Sequence, residues 1–130
     1  MPYFNTILLV DDDFVNNFIT ERTLRRSNIA REIKTVRNGE EALTFLTEQI
    51  NRCPELIILD VNMPEMNGID FLKNFKKMVL EKNIKVVLLT SVISPGQESS
   101  ISRLGFEDIM IKPFTEEKLL KILKKDLIAR

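Results

Sequence analysis

The chain has 130 residues, with 19 basic and 19 acidic side chains, no histidine and a single cysteine, Cys53. That length suits one domain with a core large enough to need neither disulfides nor a structural metal. Balanced charge argues against the broad basic footprint of nucleic-acid binders, and the lack of histidine removes His-ligated zinc, Ser-His-Asp triads and any phosphohistidine of its own.

From the N-terminus, MPYFNTILLV has no basic leader and only a short apolar run, so neither export nor membrane insertion is expected. Residues 6–10 (TILLV) read as a buried strand, followed by Asp11, Asp12 and Asp13. Asp13 is placed to cap a helix over about 14–26, where Phe14, Phe18 and Ile19 cluster and Leu24 falls off their face. Residues 32–36 (EIKTV) form a more polar second strand, expected nearer a sheet edge. After the Asn38-Gly39 turn, Leu43, Leu46 and Ile50 mark a second helix. Cys53 reads as a small, semi-buried loop residue, consistent with a reducing cytoplasm.

The third run, 56–59 (LIIL), ends in a carboxylate, Asp60, and a proline-bearing loop leads to Asn67-Gly68. Gly68, Leu72, Phe75 and Val79 recur at helical spacing, then 86–90 (VVLLT) gives a fourth strand, followed by Ser91. The segment 94–104 is a polar, short helix anchored by Ile101 and Leu104. The fifth strand, 108–111 (DIMI), runs into Lys112-Pro113. The last helix carries Leu119, Leu120, Leu123 and Leu127 opposite a lysine-rich, solvated face. Continuous rather than alternating apolar strands, regularly exchanged with helices, predict an α/β fold: a doubly wound, five-stranded parallel sheet with helices on both faces.

In such sheets the carboxyl ends of the strands carry the chemistry. Asp11 and Asp12, Asp60, Thr90 with Ser91, and Lys112 all fall there. Each has an ordinary reading alone: loop acids after a strand, a β-branched strand residue, a solvated lysine. Their arrival at one edge is what points to a site. Carboxylates held together repel unless a cation neutralises them, and an oxygen-only set favours Mg²⁺. A lysine and a hydroxyl opposite such an ion would complete a phosphoryl cradle, in which Asp60 is placed as the nucleophile that forms an aspartyl phosphate. No G-x-x-x-x-G-K-[ST] or strand-following G-x-G-x-x-G occurs, and the loop from Asp60 departs from the EF-hand pattern at Pro64 and Glu65.

The blocks LLVDDD, LIILDVNMPEMNG, VVLLTS and IMIKPF stand in an order and spacing that resembles the receiver domain of two-component response regulators, over essentially the whole chain. The resemblance implies a flavodoxin-like strand order 2-1-3-4-5 and one receiver over residues 1–130, with no output domain expected. It matches Asp60 to the phospho-acceptor, and Asp11 and Asp12 to the acid pair that holds Mg²⁺ together with Asp60 and the backbone carbonyl of Asn62. Lys112 matches the phosphoryl-contacting lysine, in a Lys112–Pro113 bond expected to be cis, Thr90 the switch hydroxyl, and Ser91 the small residue at the site's entrance. Asn62 and Val92 match positions that tune phosphoryl lifetime, and Val92 cannot orient an attacking water, so slow self-hydrolysis is expected. Receivers often carry an aromatic where Ile109 stands, so the output face would change here by a route other than a coupled aromatic.

The implied partners are a histidine kinase or phosphotransfer protein and a downstream protein met through the face formed by 94–104, 108–111 and 114–129. No nucleic acid or membrane is expected, and the protein would be a monomer or a phosphorylation-dependent dimer. It would catalyse only its own phosphorylation and slow dephosphorylation. A Mg²⁺-dependent phosphatase of the haloacid-dehalogenase type is the competing reading, but Asn62 stands where that chemistry wants a second acid. A degenerate receiver that binds partners without phosphorylation would not need the acids, threonine and lysine all present.

Overall fold

The computed structural model describes residues 4–48, 53–61, 68–78, 84–91 and 94–129, with side chains to residue 124. Asn62 and Val92, and the helix positions Ile50 and Val79, lie outside the described residues, as does the side chain of Leu127. Strands and helices alternate: β1 (Phe4–Val10), α1 (Phe14–Arg26), β2 (Ala30–Val36), α2 (Gly39–Glu48), β3 (Leu56–Asp60), α3 (Gly68–Lys76), β4 (Lys85–Thr90), α4 (Pro95–Arg103), β5 (Ile109–Ile111) and α5 (Glu116–Ala129). The strands form one parallel sheet in the order β2-β1-β3-β4-β5.

The two-residue period of a strand divides the apolar runs between two cores. Ile7 and Leu9, Leu56 and Ile58, Val87 and Leu89 face α1 and α5, where Leu24, Leu119 and Leu123 close the layer. Leu8 and Val10, Ile57 and Leu59, Val86 and Leu88 face the other way, against Leu46 of α2, Phe71 and Leu72 of α3, and Ile101 of α4. Continuous apolar strands are therefore required: both faces of the sheet are covered. β2 is an edge strand in which only Ile33 is buried, in keeping with its polar sequence.

The first helix corrects the reading from its apolar cluster. Its buried residues are Asn17, Thr20 and Leu24, whereas Phe14 (81% exposed), Val15 (61%), Phe18 (57%) and Ile19 (50%) stand in solvent. The phase follows from what the helix must place beneath the sheet edge. Asn17 points inward and donates from Nδ2 to the Asp11 carbonyl at 2.7 Å, and Leu24 lies one face-repeat further along, in the core. Cys53 is also buried rather than half-buried. Lys118 is more than a solvated lysine, since its ammonium donates to the carbonyls of Ile111 (2.8 Å) and Pro113 (3.0 Å).

α4 is short and polar but firmly started. Ser94 accepts from the Gln97 amide at 3.1 Å, the Gln97 side chain accepts from the Ser94 amide, and Pro95 opens the first turn. Its exit turns on Gly105, whose φ of +88° is open to glycine and strained for residues with a Cβ. At the end of the sheet where the strands begin, Lys85 pairs with Asp108 and the Glu55 carboxylate accepts from the Asn5 amide.

Candidate functional site

Register places the site. Val10 pairs with Leu59, so the next residues along the two central strands, Asp11 and Asp60, emerge side by side. Thr90 pairs with Ile111 on the neighbouring strands, and the Lys112 amide donates to the Thr90 carbonyl at 2.8 Å, which brings Lys112 to the same edge. Asp11, Asp60 and Thr90 are all buried, Thr90 completely, while Asp12 and Ser91 are exposed at the rim.

One carboxylate oxygen each from Asp11, Asp12 and Asp60 lies within 4.8 Å of the other two. Lys112 Nζ stands 3.5 Å from Asp60 Oδ1. The local backbone holds these groups in place. The Asp11 amide donates to the Val36 carbonyl at 3.2 Å and the Val61 amide to Leu89 at 3.0 Å. Asp11 Oδ1 accepts from the Asp13 amide at 2.9 Å. Asp13 caps α1, accepting from the amides of Val15 (2.9 Å) and Asn16 (3.2 Å), as its position predicts. Asn17 is the supporting residue that the sequence reading passed over. A polar residue one turn into a helix that follows an acidic loop was its signal.

Electrostatics make the cluster uneasy without a counterion. Burial pushes the Asp11 carboxyl from 3.8 up to about 7; Asp60's charge and side-chain hydrogen bond add to the rise, and the Asp13 amide and Lys112 oppose it. Three oxygens from carboxylates, one of them open to solvent, suit a small hard cation such as Mg²⁺ and offer nothing to a soft metal.

Across the loop after Asp60, Gly68 is packed so closely that a Cβ there would meet the Val61 Cα at 2.7 Å; its amide donates to the Val61 carbonyl at 2.8 Å. Both ends of that loop are thus pinned beside the acid. The Lys112–Pro113 bond is cis. Ile109 is half-buried against the α3–α4 side of the sheet, in the same cluster as Phe75 and Phe106.

A family profile, the response regulator receiver domain, matches residues 7–124. The chain belongs to the response regulator receiver family. This receiver is 37% identical over 120 residues to Two-component response regulator 24 of Arabidopsis thaliana, spanning 92% of the chain and 82% of that relative. Among solved structures it is similar to the chemotaxis protein CheY4 of Vibrio cholerae, with a TM-score of 0.78, 31% identity, and 93% of this chain and 97% of that one covered. A two-component response regulator of Cytophaga hutchinsonii superposes with a TM-score of 0.83 at 29% identity, over 95% and 97% of the two chains. The parallel α/β sheet expected from the residues and the strand order 2-1-3-4-5 implied by the family resemblance are those observed, and among the described residues no helix is long and apolar enough to cross a membrane.

Proposed function

We propose that this receiver is phosphorylated on Asp60 and that Asp11, Asp12 and Asp60, with the backbone carbonyl of Asn62, hold the Mg²⁺ that the reaction needs. The observation that carries the reading is one juxtaposition: three acid oxygens within 4.8 Å of one another, beside a lysine ammonium 3.5 Å from the acceptor. When bound, Mg²⁺ supplies charge neutralisation among the acids and a seat for phosphoryl oxygens. Asp60 attacks phosphorus, Lys112 offsets the charge of the transferred group, and the Thr90 hydroxyl turns toward the new oxygens, with Ser91 at the entrance. The donor is a phosphohistidine on a histidine kinase or phosphotransfer protein, and the protein acts on its own aspartate rather than turning over a separate substrate. Residues 1–130 form one receiver unit that works in the cytoplasm, as a monomer or a dimer formed on phosphorylation. Val92 and Asn62 set the lifetime of the acyl phosphate, and Ile109 leaves the output change to packing rather than to an aromatic rotation.

Intact mass after incubation with acetyl phosphate tests the reading. One phosphoryl adduct is expected on wild type with Mg²⁺, and none without Mg²⁺ or on Asp60→Asn. No adduct on wild type, with a donor active on a control receiver, would refute it and favour a phosphorylation-independent binding module. Release of inorganic phosphate from simple phosphomonoesters would favour the phosphatase.

A further inference from the structure

Position 17 faces the interior of the molecule, in phase with Thr20 and Leu24 on the buried side of α1. An apolar residue would be the ordinary occupant, since it would add to the core and leave no polar atoms to satisfy. Asparagine is also a poorer helix former than leucine. The chain nevertheless carries an amide here, 9% exposed, whose Nδ2 donates to the Asp11 carbonyl at 2.7 Å. A buried polar side chain at such a position finds its reason in what it holds.

What it holds is the main chain of the acid loop. Asp11 is fastened three ways: its amide donates to the Val36 carbonyl at 3.2 Å, its Oδ1 accepts from the Asp13 amide at 2.9 Å, and its carbonyl accepts from Asn17. Asn17 is seated in turn by its own amide, which donates to the Asp13 carbonyl at 3.0 Å. The Asp11 carbonyl belongs to the rigid peptide plane between Asp11 and Asp12. Fixing that plane fixes the direction in which the Asp12 side chain leaves the backbone. Asp12 has little else to place it, because it is exposed and among the described residues no hydrogen bond or ion pair holds its carboxylate. Yet one of its oxygens lies within 4.8 Å of those of Asp11 and Asp60.

We propose that Asn17 is a positioning residue for the cation: it sets the acid pair's arrangement for a small ion that tolerates little distortion, and so decides the preference for Mg²⁺ over Ca²⁺. With Asp11, Asp12 and Asp60 as the metal's ligands, on which this reading rests, the physical reason is ion size. Mg²⁺ demands near-ideal octahedral geometry with short bonds, whereas the larger Ca²⁺ takes about six to eight oxygens in flexible arrangements. An acid pair with an unclamped peptide plane between its members carries the same charge, which serves Ca²⁺ almost as well. It no longer offers one geometry, which Mg²⁺ needs. Asn17 supplies no ligand of its own and acts through Asp11 and Asp12, as groups do that orient a metal ligand from behind.

The test measures Mg²⁺ and Ca²⁺ affinities separately, by isothermal titration calorimetry and by the metal-dependent rise in Tm, with no phosphoryl donor present. Asn17→Leu fills the space without a donor, and Asn17→Gln keeps the amide on a longer arm. Leu24→Ala weakens the same helix away from the acid loop. Asn17→Ala carries the comparison if leucine prevents folding. Asn17→Leu should bind Mg²⁺ about tenfold or more weakly and Ca²⁺ within about threefold of wild type, with Asn17→Gln in between for Mg²⁺. Leu24→Ala should lose stability but keep both affinities within about twofold. Labelling by acetyl phosphate should slow in Asn17→Leu at limiting Mg²⁺ and return to within about threefold of wild type at saturation. Equal weakening for the two ions, or a Mg²⁺ affinity unmoved by Asn17→Leu, would overturn the proposal. So would a Mg²⁺ loss of the same size in Leu24→Ala, or a labelling defect that saturating Mg²⁺ leaves in place. A wild type that binds no Mg²⁺ would strike down the three acids as ligands and this proposal with them. A wild type that binds Mg²⁺ but gains no adduct would strike at Asp60 as the acceptor, and the affinities would still decide the role of Asn17.

Discussion

Replacing Asp11 by asparagine should make the metal-free protein more stable above neutral pH. The Asp11 carboxyl titrates near 7 instead of 3.8, chiefly because ionising it at this buried site is costly and secondly because Asp60 stands beside it. With the folded-state value above the unfolded one, the stabilising contribution is complete below about pH 3.8, shrinks as pH rises, and is gone above about pH 7. After discounting for the solvent that reaches the rim at Asp12, the loss amounts to about 2–4 kcal/mol, or roughly 10 °C in Tm for a domain of this size. Asparagine keeps the oxygen that accepts from the Asp13 amide and removes only the charge. Thermal unfolding of wild type and Asp11→Asn, followed by circular dichroism in a chelator from about pH 4.5 to 8.5, should show a gap that widens up to about pH 7 and then levels. Added Mg²⁺ should close the gap from the wild-type side, most strongly where Asp11 has lost its proton. A gap that is absent, or the same at every pH, would refute the claim that buried like charge governs this corner.

Three further tests probe the frame. Gly68→Ala drives a Cβ to 2.7 Å from the Val61 Cα, so it should cost about 1–3 kcal/mol in urea denaturation and slow acetyl phosphate labelling of the adjoining Asp60. Leu24→Ala should cost about 2–4 kcal/mol while Phe18→Ala stays within about 0.5; the reverse order in chemical denaturation would mean that α1 is rotated relative to the phase described. Lys85→Met removes the ammonium that faces the buried Asp108 carboxylate and should cost about 3 kcal/mol, most of it regained in Lys85→Met/Asp108→Leu, as a double-mutant cycle would show.

The strands and the chemical edge were legible because they rest on composition alone. A strand covered on both faces must be apolar throughout, so LIIL and VVLLT announce themselves, and Asp60 is conspicuous as the polar residue that ends one. The phase of α1 was not legible in the same way. Its inward residues include Asn17 and Thr20, chosen for a bond to the Asp11 carbonyl and a fit beneath the sheet edge, so the apolar stripe points to solvent. A hydrophobic-face argument assumes that the core takes a helix's apolar side chains, and here it takes Asn17, Thr20 and Leu24 while Phe14, Val15, Phe18 and Ile19 stay exposed. The Lys85–Asp108 contact was hidden for another reason: 23 residues separate the partners, and only strand register brings them together. α4 was legible only as a short, polar helix with thin apolar anchoring, and the Ser94–Gln97 capping box that offsets this is seen in the structure.

The two ends of the sheet differ in how well their charges are matched. Where the strands begin, Lys85 meets Asp108 and the Glu55 carboxylate has a backbone donor, so opposite partners are satisfied within the chain. Where they end, acids are crowded against acids with Lys112 as the nearby cation. Frustration in this fold is therefore localised, and the well-matched end can anchor the β-sheet while the mismatched end is retuned. Substitutions that relieve the mismatch would harden the protein as they silence it. Variants selected for stability alone should drift toward neutral residues at Asp11, Asp12 and Asp60.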